Sequence, residues 1–549
     1  MNRTLIFAAV VILGCSELPM SGTGGGAGGG STGGGGGGFG NTGGGFMMGA
    51  GAGPGSGTIT ASSGFRSKPH GFSFENYTNE GVTNLTSVEL RRLFGDAVCA
   101  TLENGACTLT PVATQWMEQA NGAMNGGHCF GMSHTALLMQ KGTLAASAFG
   151  GPDAFALQKG DERLQREIAY WMSTQFTAPG NRSITSTRPT PNELLTQLAE
   201  GWARNERFTL AFFMRQGGGG HAVTPHSLQT LPNGKVELVV YDNNYPNADR
   251  AITFDAAANS WSYSASVNPM APASGYDGDA TTRNIFAVPV ADAEQPQQCT
   301  FCGNASPANA MAAPRTVSAL GGGDLVVDDG QGHQVGTDGA EVGNTFPGAQ
   351  VLAPLSAELY ADDTEPRYVI PAGSDLTVTL SGARLAARAA SSVSIVGPGY
   401  ALSVEGLQLD PGQTDQLWVS ADGQAVGYAT QGPETPTVFN TFTTAGDDFE
   451  VGVQVVSDAD GAQFLLERAG SVVALKLSGA GATQYGVLLT RAGANGSEHF
   501  LHAGTALQGD ATLSFDLATW AGNGSPLTLS VDLGSDGSVD QTEVLVDQD

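Results

Sequence analysis

The chain has 549 residues, with 24 basic and 52 acidic side chains and a formal net charge of -28. This length predicts two or three domains, and a hydrophobic content of 41% excludes global disorder. Such acidity excludes charge-driven binding to nucleic acid or to anionic lipid. The charge is uneven, because residues 303–549 carry 30 acidic and 7 basic side chains, against 22 and 17 in residues 1–302.

Residues 1–15 have the pattern of an export signal. Arg3 is followed by an apolar run of nine residues, which is too short to remain as a membrane span. Residues 12–15, Ile-Leu-Gly-Cys, resemble the lipobox of bacterial lipoproteins, and this resemblance implies cleavage before Cys15 and its lipidation. Ser16 follows, which in that family favours the outer membrane. We therefore expect an exported chain, lipid-anchored at the bacterial outer membrane or cell surface; an ordinary signal peptide is the alternative.

Residues 16–64 form a glycine-rich segment. Between residues 22 and 57 there are 22 glycines in 36 positions, and no charged residue occurs between Glu17 and Arg66. Such a segment buries too little apolar surface to offset its backbone entropy. The sequence predicts a flexible tether from the lipid anchor to the first folded domain.

Six cysteines are present, and exported chains meet an oxidising compartment in which paired cysteines are the default. Lipidation of Cys15 would leave five: Cys99, Cys107, Cys129, Cys299 and Cys302. The first two flank the turn signal Asn104-Gly105, and the last two form a C-x-x-C pair. Four of them, Cys99, Cys107, Cys299 and Cys302, are disulfide candidates whose connectivity the sequence does not choose. A redox role for the C-x-x-C pair is the alternative, although no βαβ pattern surrounds it.

Cys129 is the cysteine left over, and its surroundings predict the start of a helix. A polar glycine-rich loop precedes it, and Met132, Ala136 and Met139 follow at helical spacing. The N–H groups and the positive dipole end at a helix N-terminus favour a thiolate over a thiol. A free thiol in this position is a candidate nucleophile, provided that a base lies nearby; a buried structural cysteine is the alternative.

His221 is the candidate base. It follows the apolar segment 208–213 and the glycines 217–220, which read as a strand, a loop and the start of a second strand. The next predicted strand, 236–241, ends at Asp242 and Asn243. A carboxylate or amide at this strand end can hold a histidine ring in a fixed orientation.

A cysteine at a helix start, His-Ala-Val on a strand and Asp-Asn at the next strand end resemble the papain-like cysteine peptidase superfamily. The resemblance covers roughly residues 70–302 and implies an α+β two-lobed fold. It implies Cys129 as nucleophile, His221 as general base, and Asp242 or Asn243 as the residue that orients the histidine. We prefer Asp242, because it directly follows the strand, and Asn243 stays as the alternative.

The chain departs from the family pattern in ways that suggest a distant branch. Papain-like enzymes carry a glutamine six residues before the nucleophile as an oxyanion donor, and this position is Ala123 here. Three side chains are candidate replacements beside the Cys129 backbone N–H: Gln119, Asn121 and Asn125. Phe130 stands where the family has tryptophan, and no Asn-Ser-Trp follows Asn244.

A zinc site is the main rival interpretation of this half. Five soft or borderline ligands occur in two clusters: His128, Cys129, His134, His221 and His226. Adjacent His128 and Cys129 would point in different directions, and His221 and His226 would lie on opposite faces of a strand. We therefore predict no metal and no cofactor.

The remaining pattern of residues 65–302 predicts a helical lobe packed on a β lobe. Amphipathic helices are predicted at 88–94, 112–117, 164–172 and 191–202, and a hairpin at 251–255 and 260–263. None of these segments carries a pattern that indicates chemistry.

The acidic half is predicted to be all β. Residues 303–316 read as a linker, and residues 317–549 contain short alternating segments separated by turn signals, which predict one or two antiparallel β-sandwich domains. Residues 532–543 superficially resemble a calcium loop, but Gly534 occupies a ligand position, so a polar turn is favoured. Binding of substrate or of a surface partner is the expected role of this half.

The sequence therefore predicts a surface-anchored cysteine peptidase that hydrolyses peptide bonds in peptide or protein substrates, with no nucleic-acid partner. The same residues also serve transamidation and deamidation, because each proceeds through an acyl group on the cysteine. The alternative from a different class is a non-catalytic binding lipoprotein with a degenerate papain-like domain.

Overall fold

A computed structural model describes the chain from residue 54 to residue 548, apart from short gaps. The described ranges are 54–78, 82, 84–215, 219–264, 275–339, 341–356, 365–430, 432–444, 446–457, 463–478, 482–493, 496–506 and 509–548. The signal segment, Cys15 and most of the tether lie outside them, so lipidation stays a prediction. Among the described residues, no helix is long and apolar enough to cross a membrane.

Five helices of two turns or more lie in the described part of the first half. They are α1 (Ser87–Phe94), α2 (Pro111–Ala123), α3 (Cys129–Lys141), α4 (Glu162–Ser173) and α5 (Pro191–Ala203). Single helical turns occupy Ser67–His70, Arg182–Thr185, Val290–Ala293 and Pro307–Ala310. Capping boxes start α1 and α5, from Thr86 with Glu89 and from Thr190 with Glu193.

Helix α3 is the central helix of this half. Its first ten residues, Cys129 to Leu138, are all buried, as expected for a helix that is covered on every side. It packs against α4 on one side and against the first sheet on the other. The candidate nucleophile therefore lies at the end of a deeply buried element.

The first half contains an antiparallel sheet of eight strands and a separate hairpin. In chain order the strands are β1 (Thr58–Ser62), β2 (Cys99–Glu103), β3 (Ala106–Leu109), β4 (Phe208–Phe213), β5 (Gly220–Thr230), β6 (Val236–Tyr241), β7 (Asp249–Asp255), β8 (Ser260–Tyr263), β9 (Tyr276–Asp279) and β10 (Ile285–Pro289). The sheet order is β10-β4-β5-β6-β7-β8-β9, with β1 paired to β5, and β2 pairs with β3. The described architecture of this half is thus α+β.

The described residues of the second half are all β apart from a single α-helical turn and a 3-10 turn. Its strands are β11 (Arg315–Gly321), β12 (Asp324–Asp328), β13 (Gln334–Asp338), β14 (Glu341–Asn344), β15 (Gln350–Leu352), β16 (Arg367–Ile370), β17 (Leu376–Ser381), β18 (Ala389–Gly397), β19 (Tyr400–Leu409), β20 (Thr414–Val419), β21 (Ala425–Ala429), β22 (Thr437–Thr443), β23 (Asp447–Ser457), β24 (Gln463–Ala469), β25 (Val472–Ser478), β26 (Ala482–Gly493), β27 (Gly496–Ala506), β28 (Ala511–Asp516), β29 (Leu527–Leu533) and β30 (Gln541–Leu545). All pairings are antiparallel within a nine-stranded sheet, β15-β16-β11-β18-β19-β22-β23-β26-β27, and an eleven-stranded sheet, β14-β13-β12-β17-β20-β21-β24-β25-β28-β29-β30. Buried side chains from both sheets form one apolar core.

The two halves share part of their apolar packing. Four residues of the second half belong to the core of the first: Leu352, Leu355, Val396 and Ala401. Phe301, just before the predicted linker, stacks on Trp116 of α2 with ring centroids 5.4 Å apart. The described residues belong to one compact unit.

Two predicted boundaries need correction. The tether was expected to reach residue 64, but Thr58–Ser62 forms β1, because its backbone completes the ladder of β5. The predicted linker 303–316 contains the helical turn Pro307–Ala310, and Arg315 already starts β11 as a buried residue.

The cysteine pairs and the acidic C-terminal loop are well defined. Disulfides join Cys99 to Cys107 and Cys299 to Cys302. In the loop, the Asp532 carboxylate accepts the backbone N–H groups of Asp536 and Gly537 at 3.1 and 2.9 Å. These carboxylate oxygens close a polar turn between β29 and β30.

Candidate functional site

Cys129 is the first residue of α3 and the one free cysteine among the described residues. Its sulfur accepts the backbone N–H of Ala222 on β5 at 3.3 Å. It also donates to the backbone carbonyl oxygen of Leu355, in the second half, at 3.1 Å. The side chain is fully buried. The thiol is therefore held between the helix start, the central strand and a segment from the acidic half.

His221 and Asp242 form a buried pair beside this thiol. His221 is the second residue of β5, next to Ala222, and Asp242 directly follows the neighbouring strand β6. The Nε2 atom of His221 lies 2.8 Å from Oδ1 of Asp242. Asp242 also accepts the hydroxyl of Tyr263 at 2.6 Å and the backbone N–H of Asn244 at 2.9 Å. The carboxylate is fully supplied with donors and fixes the orientation of the ring.

Charges determine the protonation of this pair. Burial lowers the pKa of His221, but the negative charge and the hydrogen bond of Asp242, together with the neighbouring Cys129, outweigh it, and the net pKa rises to about 10. Burial raises the pKa of Asp242, but His221 and the hydrogen bonds from Tyr263 and Asn244 bring it below its ordinary value. At neutral pH the pair is an imidazolium and a carboxylate. Because Nε2 is bound to Asp242, Nδ1 is the ring nitrogen left for proton exchange with Cys129, whose side chain also raises the His221 pKa.

Asn243 does not orient the histidine ring, which was the alternative role expected for it. Its amide nitrogen donates to the backbone carbonyls of Cys129 and Ala222, each at 3.0 Å. It therefore ties the start of α3 to β5 and fixes the thiol relative to the histidine strand. Asp242, and not Asn243, contacts His221.

The predicted oxyanion side chains do not converge on Cys129. Gln119 bonds Ser394 and accepts from Arg367 at 3.0 Å, both in the second half. Asn121 accepts the backbone N–H of Leu85 at 2.9 Å and donates to its carbonyl at 3.2 Å. Asn125 is exposed in the turn before α3. Gln119 and Asn121 are therefore hydrogen-bonded to residues far along the chain, and their local sequence does not indicate these partners.

The other histidines do not form a metal centre. His128 lies between the Tyr77 carbonyl and the Asn84 side chain, at 2.8 and 3.1 Å. His134 stacks between aromatic rings, and His226 lies 3.3 Å from Asp249. Over the part of the chain that the structure describes, no group of three or more His, Cys, Asp and Glu residues could hold a metal ion.

A segment of the second half covers the thiol, and sequence reasoning missed it. Leu355 and Ser356 are fully buried. The Leu355 N–H donates to Oε1 of Gln175 at 2.7 Å, and the Ser356 carbonyl accepts from Nδ2 of Asn76 at 3.1 Å. Gln175 and Asn76 are therefore further residues of the site. Nothing in their local sequence distinguishes them, because their partner is far along the chain.

The fold and the site together describe an α+β region with a buried Cys–His–Asp cluster, followed by an all-β region. No family model, curated protein or solved structure matches the chain. The function therefore has to be inferred from the geometry of its own residues.

Proposed function

We propose that this chain is a papain-like cysteine peptidase of a distant branch, exported and lipid-anchored through Cys15. The observation that carries the proposal is the Cys129, His221 and Asp242 cluster at the junction of α3, β5 and β6. A thiol at a helix start, a cationic imidazole and an orienting carboxylate are the groups that nucleophilic catalysis by cysteine requires.

The reaction uses these residues in sequence. The Cys129 thiolate attacks the carbonyl carbon of a peptide bond, and the imidazolium of His221 gives its proton to the departing amine as the C–N bond breaks. A thioester remains on Cys129. Neutral His221 then takes a proton from water, the hydroxide adds to the thioester carbonyl, and the acid and the thiolate are released.

The negative charge that develops on the substrate oxygen during attack needs a hydrogen-bond donor. Gln119, Asn121 and Asn125 do not converge on Cys129, so the donor has to be another group. The first N–H groups of an α-helix have no partner within the helix, and α3 begins at Cys129 itself. These backbone donors, supported by the helix dipole, are the nearest means of stabilising an oxyanion at this sulfur. Asn243 contributes indirectly, because it fixes the backbone at the start of α3.

Transamidation and deamidation share the thioester and differ only in the acyl acceptor or in the amide attacked. A non-catalytic binding lipoprotein is the alternative from another class. The three hydrogen bonds to Asp242 favour an enzyme, since a binding surface does not need a buried, ionised pair beside a cysteine that forms no disulfide.

Hydrolysis of a fluorogenic peptide library tests the proposal. Because the Leu355 carbonyl contacts the sulfur, the full chain and its Leu355→Gly variant are both assayed. In the Leu355→Gly chain, we expect the addition of Cys129→Ala or His221→Ala to lower hydrolysis at least about 10³-fold. The matched control is His226→Gln on the same strand, with an unchanged rate. Equal rates for His221→Ala and His226→Gln would contradict the proposal.

A further inference from the structure

Residues 353–356 lie in the Cys129 cleft as a bound peptide would. The Leu355 N–H, the Leu355 carbonyl and the Ser356 carbonyl each bond a different element of the first half, through Gln175, Cys129 and Asn76. Leu355 also forms a parallel bridge with Gly220 at the start of β5. Pairing of an extended peptide with a strand edge through its main chain is a common form of peptide recognition.

Two glycines make room for this segment. A Cβ on Gly127 would lie 2.1 Å from the Ser356 carbonyl oxygen, and the residue has a φ of +136°. A Cβ on Gly220 would lie 3.0 Å from Cδ2 of Leu355 and 2.6 Å from the Phe213 ring. The first half is therefore shaped for close approach of a peptide backbone and of a leucine side chain on both sides of Cys129.

The contact between the Leu355 carbonyl and the Cys129 sulfur does not place the peptide bond for attack. The Sγ atom of Cys129 donates to the oxygen of the Leu355 carbonyl at 3.1 Å, and in such a hydrogen bond the carbonyl carbon lies farther from the sulfur than the oxygen does. Attack requires the carbon. The segment thus fills the place of a substrate without presenting its peptide bond for cleavage.

We propose that residues 353–356 are an internal ligand of the Cys129 site that keeps the protein latent until it is displaced. The same geometry assigns the class of ligand: a peptide with a leucine-sized apolar side chain next to Cys129 and beside Gly220. The proposal rests on the proposed function only in calling the cleft an enzyme site.

Alkylation of Cys129 by iodoacetamide tests the latency, with the modified residue identified by peptide mass. In Leu355→Gly the buried side chain that anchors the segment is lost, and we expect alkylation on the order of 10- to 100-fold faster than in the unaltered chain. The matched control is Leu513→Gly, which loses a buried leucine in the second core and should leave the rate unchanged. If Leu355→Gly fails to fold, the milder Leu355→Ala is expected to give a smaller acceleration.

The ligand class is tested by protection. The capped peptide Val-Leu-Ala-Pro-Leu-Ser, which has the sequence of residues 351–356, should slow alkylation of the Leu355→Gly chain. The same peptide with aspartate in place of its second leucine should not, because a carboxylate would be buried against apolar groups. Equal protection by both peptides would overturn the assigned ligand class.

Two results would overturn the latency. One is alkylation of the unaltered chain as fast as that of Leu355→Gly. The other is Cys129-dependent cutting of the unaltered chain between Leu355 and Ser356, which would make the segment a substrate. If Leu355→Gly is alkylated faster but hydrolyses no peptide, the proposed latency stands and the proposed peptidase activity is rejected.

Discussion

Two buried histidines of the first half respond to their surroundings in opposite ways. His134 stacks on Phe130 and Trp171, with centroids 5.8 and 5.0 Å away, and neither ring nitrogen has a hydrogen-bond partner among the described residues. Burial lowers its pKa to about 3. His221 is buried as deeply, yet the charge and the hydrogen bond of Asp242 raise its pKa. A charged partner, and not burial alone, decides which histidine is a cation.

His134 should make the fold sensitive to acid. Its folded pKa of about 3 lies below the unfolded value of 6.5, so the unfolded chain takes up more protons and stability falls as the pH drops from 6.5 to about 3. The loss is at most about 1.4 kcal/mol per pH unit. His134→Phe should remove this part of the loss, as measured by urea unfolding at several pH values. An identical pH slope in the variant would contradict this account.

Deprotonation of His221 should lower the stability of the fold at alkaline pH. Its folded pKa lies above the unfolded value, so its contribution is complete below pH 6.5 and is lost as the pH rises towards about 10. Asp242→Asn removes the largest charge that raises this pKa. We expect its unfolding free energy to fall less than that of the unaltered chain between pH 6.5 and 10. A steeper fall in Asp242→Asn would show that Asp242 does not stabilise the protonated form of His221.

At the scale of elements, α3 depends on its close approach to α4. Gly131 of α3 faces the backbone of α4, and a Cβ there would lie 2.2 Å from the Ile168 carbonyl oxygen. The two helices can therefore pack at this point only through a glycine. This packing holds the helix that carries Cys129.

Gly131→Ala is expected to cost about 1–3 kcal/mol of unfolding free energy, because the helices must move apart. Urea unfolding measures this. Gly160→Ala is the matched control, since a Cβ there meets nothing within 4 Å, and its stability should be nearly unchanged. Equal stability of the two variants would show that α3 and α4 can separate without cost.

The elements of the site were predictable where their signals are local. The start of α3 at Cys129 follows from a glycine-rich loop before an apolar helical repeat, and the position of Asp242 follows from the end of a strongly apolar strand. The Leu355 segment was not predictable, because its partner Cys129 lies 226 residues earlier. Gln119 was misassigned for the same reason, since its partners Ser394 and Arg367 lie on β18 and β16.

At the scale of the whole molecule, the acidic half and the candidate enzyme are one folded unit. Arg367 of β16 is buried, donates to Gln119 of α2 at 3.0 Å, and lies over the Phe176 ring at 4.8 Å. Burial lowers its pKa to about 10, which still leaves it charged at neutral pH. A charged side chain of the acidic half is thus buried against residues of the first half.

This shared packing should make unfolding cooperative. Scanning calorimetry of the chain is expected to show a single transition, because separating the halves would expose Leu352, Leu355, Val396 and Ala401 together with Arg367. Two resolved transitions would mean that the halves fold independently and that their contact contributes little stability.

The central claim is that Cys129 is a nucleophile activated by His221. It is tested most directly by mixing the Leu355→Gly chain with the p-nitrophenyl ester of acetyl-leucine and recording released nitrophenol together with the mass of the protein. The account predicts a burst of one nitrophenol per chain and an acetyl-leucyl adduct on Cys129, with both greatly slowed when His221→Ala is added to the Leu355→Gly chain. An adduct on another residue, no burst, or an equally fast burst in His221→Ala would contradict it.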